Sequence, residues 1–129
     1  MAISHATSAR NALANTIDDQ VNAGTTDAQG DFVVIESSGP TDLIEFNLQD
    51  PAFGSASSGQ ITLAGTPIST TASTSGTADK FEVRDKDNAM VYDGTVTATG
   101  GGGDVQIDNT DVASGQSAEL SSHAYTAST

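Results

Sequence analysis

Four aspartates, Asp85, Asp87, Asp108 and Asp111, are the residues whose type and spacing come nearest to a chemical site. Asp85-Lys86-Asp87-Asn88 and the run from Asp104 through Asp108 to Asp111 place hard oxygen ligands in turn-forming sequence, the ligand type that calcium and magnesium take. Neither run has EF-hand spacing, because Asp85-x-Asp87-x-Ala89 lacks the third ligand and its glycine. The alternative is that all four are solvated turn carboxylates, and no cofactor beyond calcium or magnesium is expected. Nucleophilic catalysis has less to build on. His5 and His123 lie near opposite ends, cysteine is absent, and no serine occupies a Gly-x-Ser-x-Gly elbow. Gly100 to Gly103 lacks the Lys and Ser/Thr of a phosphate-binding loop, and Asp104 beside it would repel an anion. The expectation is a protein that is not an enzyme.

The carboxylates that make single pairs uninformative are informative together. Asp and Glu number 17 against 4 Lys and Arg, a net charge of -13 on 129 residues, and the whole basic complement is Arg10, Lys80, Arg84 and Lys86. So much like charge opposes compaction in dilute buffer. At about 1 M salt the Debye length falls to about 3 Å, which removes most of the repulsion. Scarce Lys with abundant Asp, Ala, Thr and Ser resembles the style of salt-adapted haloarchaeal proteins; the alternative is an ordinary acidic protein kept soluble by its charge. Nucleic acid and anionic membrane are disfavoured as partners, since both require clustered cations. No apolar run approaches the ~20 residues that span a bilayer, and the start lacks the pattern of a secretory signal, so synthesis as a soluble cytoplasmic product is expected.

Such a chain has one domain's length. Leu, Ile, Val and Phe total 24 of 129 residues, few for a globular domain, but they cluster in short alternating runs between turn residues, which argues for a folded chain with a thin core. Residues 4–23 predict the one helix, with Ala6, Ala9, Leu13, Ile17 and Val21 on its apolar stripe, Ser4 as cap and Gly24 as terminator. It would pack on its own domain or serve as an assembly arm, so the chain divides into 1–24 and 25–129. The rest predicts strands. Residues 32–37 and 43–48 form a first hairpin, Phe53 plugs the core beyond Pro51, and Ile61 and Leu63 mark a third strand. The uncharged stretch 65–78 is a flexible loop or an edge strand laid against a partner. Residues 81–83 and 90–97 form a second hairpin bent near Gly94, Val105 and Ile107 begin a short strand, and residues 118–125 make the last. About seven strands after one helix predict a mainly β fold, an antiparallel β-sandwich of jelly-roll or immunoglobulin-like type, or a small barrel. Its core is expected to include Phe32, Ile35, Ile44, Phe46, Leu63, Phe81, Val83, Val96, Ile107 and Leu120.

Met1-Ala2-Ile3-Ser4-His5-Ala6-Thr7 followed by Arg10-Asn11-Ala12-Leu13-Ala14 resembles the start of small structural proteins of tailed viruses. Asp50-Pro51-Ala52-Phe53-Gly54, Gly76-Thr77-Ala78-x-Lys80-Phe81 leading to Asp85, Val91-x-x-Gly94-Thr95-Val96 and the closing residues 121–126 extend the likeness in the same order. The resemblance implies a virion component made in the host cytoplasm, and with the acidic composition it points to a tailed virus of a halophilic archaeon. A capsid decoration or turret subunit is the first expectation, assembled as a homo-oligomer on other virion proteins such as the major capsid protein. The alternative is a tail or adhesion module that binds a host surface glycan, for which Tyr92 and Tyr125 are the aromatic candidates.

Overall fold

Alternation of apolar and polar residues builds the centre of the molecule. A computed structural model describes residues 4–127; Met1, Ala2 and Ile3, which open the viral likeness, lie outside them. The fold is mainly β with one N-terminal helix: α1 (Thr7–Val21), then β1 (Asp31–Glu36), β2 (Thr41–Asn47), β3 (Gln60–Thr62), β4 (Ile68–Thr71), β5 (Gly76–Thr77), β6 (Lys80–Arg84), β7 (Met90–Ala98), β8 (Val105–Ile107), β9 (Asp111–Val112), β10 (Ser117–Leu120) and β11 (Ala124–Thr126). Eleven short strands replace the seven expected. They make a curled five-stranded sheet, β2-β1-β6-β7-β8, and three two-stranded pairs, β4 with β10, β3 with β11 and β5 with β9.

The two hairpins are those the alternation predicts. Phe32 pairs with Phe46 and Val83, and Val34 with Ile44 and Phe81, so one sheet face carries six large apolar side chains. The Phe32 and Phe81 rings stack with centroids 4.9 Å apart. Gly94, opposite Phe81 on β7, makes room for that ring, because a Cβ there would stand only 2.5 Å from it. The second hairpin's irregularity is at Val91, where the register steps between Val83 and Arg84, and not at Gly94. Of the ten expected core residues nine are buried and Ile107 is half-buried. Ile35 and Val33 are buried on the opposite face of β1, whose cross-strand neighbours are Asp42, Glu45, Lys80 and Glu82.

Three departures from the simplest antiparallel reading follow. β8 runs parallel to β7, Val96 beside Val105, so the sheet is mixed rather than wholly antiparallel. A parallel connection ordinarily needs a dozen or more residues, whereas here residues 99–104 suffice because Gly100 and Gly102 adopt φ of 89° and 80°. The final stretch is two strands, for after β10 the chain leaves β4, turns His123 inward and resumes as β11 beside β3. The uncharged segment is tied within its own chain through β4 and β5, with Ala72 and Ala78 buried.

The helix also departs from its predicted face. It starts at Thr7 with no side-chain cap, Ala6 rather than Ser4 preceding it, and ends at Asn22 with Gly24 at φ 110° beyond. Ala14 and Val21 are buried, but Leu13 is 45% exposed. The inward face is largely polar. Backbone N–H groups of the irregular segment 52–59 donate to a column of helix side chains: Gly59 to Asn11 (2.7 Å), Ala56 to Asn15 (3.2 Å), Phe53 to Asp18 (3.0 Å) and Ala52 to Asn22 (2.9 Å). The spacing of 4, 3 and 4 residues puts all four acceptors on one side of a helix. They satisfy donors that no strand reaches, and in doing so seat Phe53, 2% exposed, in the core beside Leu63.

Candidate functional site

Three of the four predicted metal-ligating aspartates accept hydrogen bonds from nearby groups. Asp85 accepts from the N–H groups of Asp87 and Ala89, both at 2.9 Å, closing the turn between β6 and β7. Asp87 turns the other way and accepts from the Thr25 N–H (2.9 Å), the Thr26 N–H (3.0 Å) and the Thr26 hydroxyl (2.9 Å), and the Thr25 backbone bond leads in holding its carboxyl below the usual range. That side chain is thus a clasp between the turn and the segment leaving the helix, not a free solvated carboxylate. Asp108 follows β8 and is approached by the Thr99 hydroxyl at 3.4 Å, and Asp111 opens β9 opposite Thr77. Among the described residues no three His, Cys, Asp or Glu side chains close on a common metal position.

The cations are equally engaged. Arg84 makes a two-pronged contact with Asp42 at 2.8 and 3.0 Å and reaches Glu82 at 3.0 Å. Asp42 is held below the ordinary carboxylate range by that hydrogen bond, and Arg84 is pushed further up from an already high value. Lys80 bridges Glu82 (3.2 Å) and Asp93 (3.3 Å), and Lys86 holds Asp50 at 2.7 Å. Arg10 lies against Gly59 and donates to the Ala127 carbonyl at 3.4 Å.

His123 is not a surface residue. Its ring packs edge-on against Phe32 and Phe81 (centroids 5.1 and 5.5 Å), stacks on Tyr92 at 6.0 Å, and shares a 2.7 Å hydrogen bond between Nε2 and the Tyr92 hydroxyl. Burial lowers its pKa to about 4, opposed by the Asp104 charge, while burial raises that of Tyr92. Both groups are therefore neutral across the physiological range. Tyr125 tilts against Tyr92 at 5.2 Å, so the two tyrosines proposed as a glycan platform belong to the aromatic cluster.

Two concavities flank this framework. One, of about 230 Å³, opens between the sheet and β10, with Phe32, Val34, Ile44, Phe46 and Leu120 as its apolar floor and Asp108, Asn109, Gln116 and Glu119 as polar lining. The other, also about 230 Å³, lies beside the start of β1 and is lined by Asp27, Ala28, Gln29, Asp31, Glu45 and Asn47. Sequence patterning does not single out Asp31, since an acid at the head of an apolar run looks like a strand boundary; it is nonetheless 4% exposed, and its pKa is raised to about 6 by burial, with the Glu45 and Asp27 charges adding. No protein-family profile, curated protein or solved structure matches the chain.

Proposed function

We propose that this chain is a structural virion subunit adapted to high salt, a capsid decoration or turret protein of a tailed virus that assembles with copies of itself and with other virion proteins. The observation that carries the reading is the disposition of charge. Three of the four cations are paired with carboxylates of the same chain, and Arg10 lies against Gly59 and the Ala127 carbonyl, so the surface carries the -13 net charge with no cationic patch to meet a polyanion. Such a surface stays hydrated and unaggregated where salt screens its self-repulsion, a setting in which many identical copies can crowd on one shell. The sequence likeness to small tailed-virus structural proteins points the same way.

The finer reading of the fold is a sandwich, with the five-stranded sheet as one layer and β3, β4, β10 and β11 as the other. Its support is one continuous cluster that joins Phe32, Phe46 and Phe81 of the sheet to Ile61, Leu63 and Leu120. The glycan-binding alternative has less to stand on, since Tyr92 is committed to His123. Quantitative mass spectrometry and electron microscopy of purified particles test the proposal. Hundreds of copies on the head are expected; a few to a few dozen at one vertex favour the tail alternative, and absence from the particle overturns both. No helix among the described residues is long and apolar enough to cross a membrane.

A further inference from the structure

Asp31 is a buried residue whose carboxylate opens onto a cleft instead of meeting a hydrogen-bond partner in the fold. It is 4% exposed, and among the described residues no hydrogen bond reaches its side chain. An ionised carboxylate left so is costly unless paired. Its cross-strand neighbour on β6 is Arg84, but that guanidinium turns away to Asp42 and Glu82. The remaining pull of Arg84 on Asp31 is smaller than the push of two nearby acids. Glu45 stands on the same sheet face, two residues along β2 from Asn47, the residue paired with Asp31, and Asp27 comes from the segment that leads into β1.

These side chains wall the second concavity rather than converging on one point. At about 30 Å³ per water, its volume of about 230 Å³ accommodates an ion together with its hydration shell. Magnesium gives up its waters reluctantly and is commonly held through one or two carboxylates with several waters retained. Three carboxylates match a double positive charge better than a single one, and the amide oxygens of Gln29 and Asn47 supply neutral acceptors for the same waters. We propose that the cleft walled by Asp27, Asp31 and Glu45 binds a hydrated divalent cation, magnesium by preference, through water bridges to the three carboxylates. This site is separate from the Asp85, Asp87, Asp108 and Asp111 expected from sequence, and it does not depend on where in a particle the protein sits.

The full-length protein is titrated with magnesium chloride at fixed ionic strength and pH 8, reading the thermal midpoint, and with manganese, reading paramagnetic broadening of backbone amide signals. A saturable rise in midpoint is expected, with broadening confined to residues 27–31 and 45–47. Asp31→Asn should raise the midpoint without magnesium and abolish both the saturable response and the broadening, whereas Asp111→Asn should leave them intact. Asp27→Asn, on the exposed rim, should fold normally and weaken magnesium about ten-fold, so the test survives even if Asp31→Asn does not fold. A rise that never saturates and is shared by the Asp27 variant, an equal response to potassium chloride, or broadening centred elsewhere would overturn the proposal.

Discussion

Two side chains, the buried Asp31 and the half-buried His123, carry ionisation equilibria that folding moves in opposite directions. Asp31 is raised from 3.8 to about 6, so its folded form holds a proton that the unfolded chain has lost; its contribution is present below pH 3.8 and disappears as pH rises through 6. His123 is lowered from 6.5 to about 4, so its contribution is present above 6.5 and disappears as pH falls through 4. The windows overlap, and at 1.36 kcal/mol per unit each contribution is at most about 3 kcal/mol. Without divalent cation, these two contributions should nearly cancel between about pH 4 and pH 6.5, and single variants should uncover the slopes: His123→Phe stabilised by acid, Asp31→Asn destabilised by it. Denaturant melts at a series of pH values check this, and parallel profiles for the two variants would contradict the assignment. Asp87 gives a second expectation. Because it clasps Thr25 and Thr26, Asp87→Ala should speed amide hydrogen exchange at those two residues and lower the midpoint, where a free turn aspartate would change neither.

Elements behave differently according to whether their partners are near or far in sequence. Both hairpins were legible because each strand's partner follows within one turn and the period-two alternation marks the shared face. The parallel placement of β8 was not, because residues 99–104 are fewer than a parallel connection ordinarily needs; nor were the division of the last stretch into β10 and β11 and the pairing of β4 with β10, since these partners are far apart in sequence and their strands hold only three or four residues. The helix was legible as a helix, and Ile17 and Val21 of its predicted stripe do pack on the core, but Ala6, Ala9 and Leu13 do not. Hydrophobic periodicity finds Leu13 and cannot see that Asn11, Asn15, Asp18 and Asn22 are turned inward as acceptors for backbone donors. The cleft at Asp31 was hidden for a similar reason, because its three acids come from a loop and two strands. In this structure the ladder packs α1 on its own domain. Deleting residues 1–23 should unfold the remainder even in high salt, and Asn11→Ala should cost about 1 kcal/mol with faster exchange at Gly59. A truncated chain that keeps its β signal in circular dichroism would restore the arm.

For the molecule as a whole, one quantity dominates, the net charge of -13. With 17 acids against 4 bases and three of those bases already paired, rearranging side chains can relieve little of the repulsion, and dissolved ions must screen the rest. The thermal midpoint should therefore climb steeply between about 0.1 M and about 1 M salt and flatten above, following the fall in Debye length; an unchanged midpoint would mean that the carboxylates do not repel one another in the fold. The pairing of β3 with β11, and the bond from Arg10 to the Ala127 carbonyl across 117 positions, have a consequence for biosynthesis. While the ribosome still holds the final stretch, β3 and β4 have no partners, and the helix stands beside a Gly59 whose carbonyl awaits the Ala127 N–H. The nascent chain can close its two hairpins as it emerges but cannot complete its fold until residues 117–127 are free to pair. Topologies so rich in distant contacts fold in milliseconds to seconds rather than microseconds, and during that interval the edges of β3 and β4, which lie in a stretch with no charged side chain from Pro51 to Ala78, stand open to pairing with other chains.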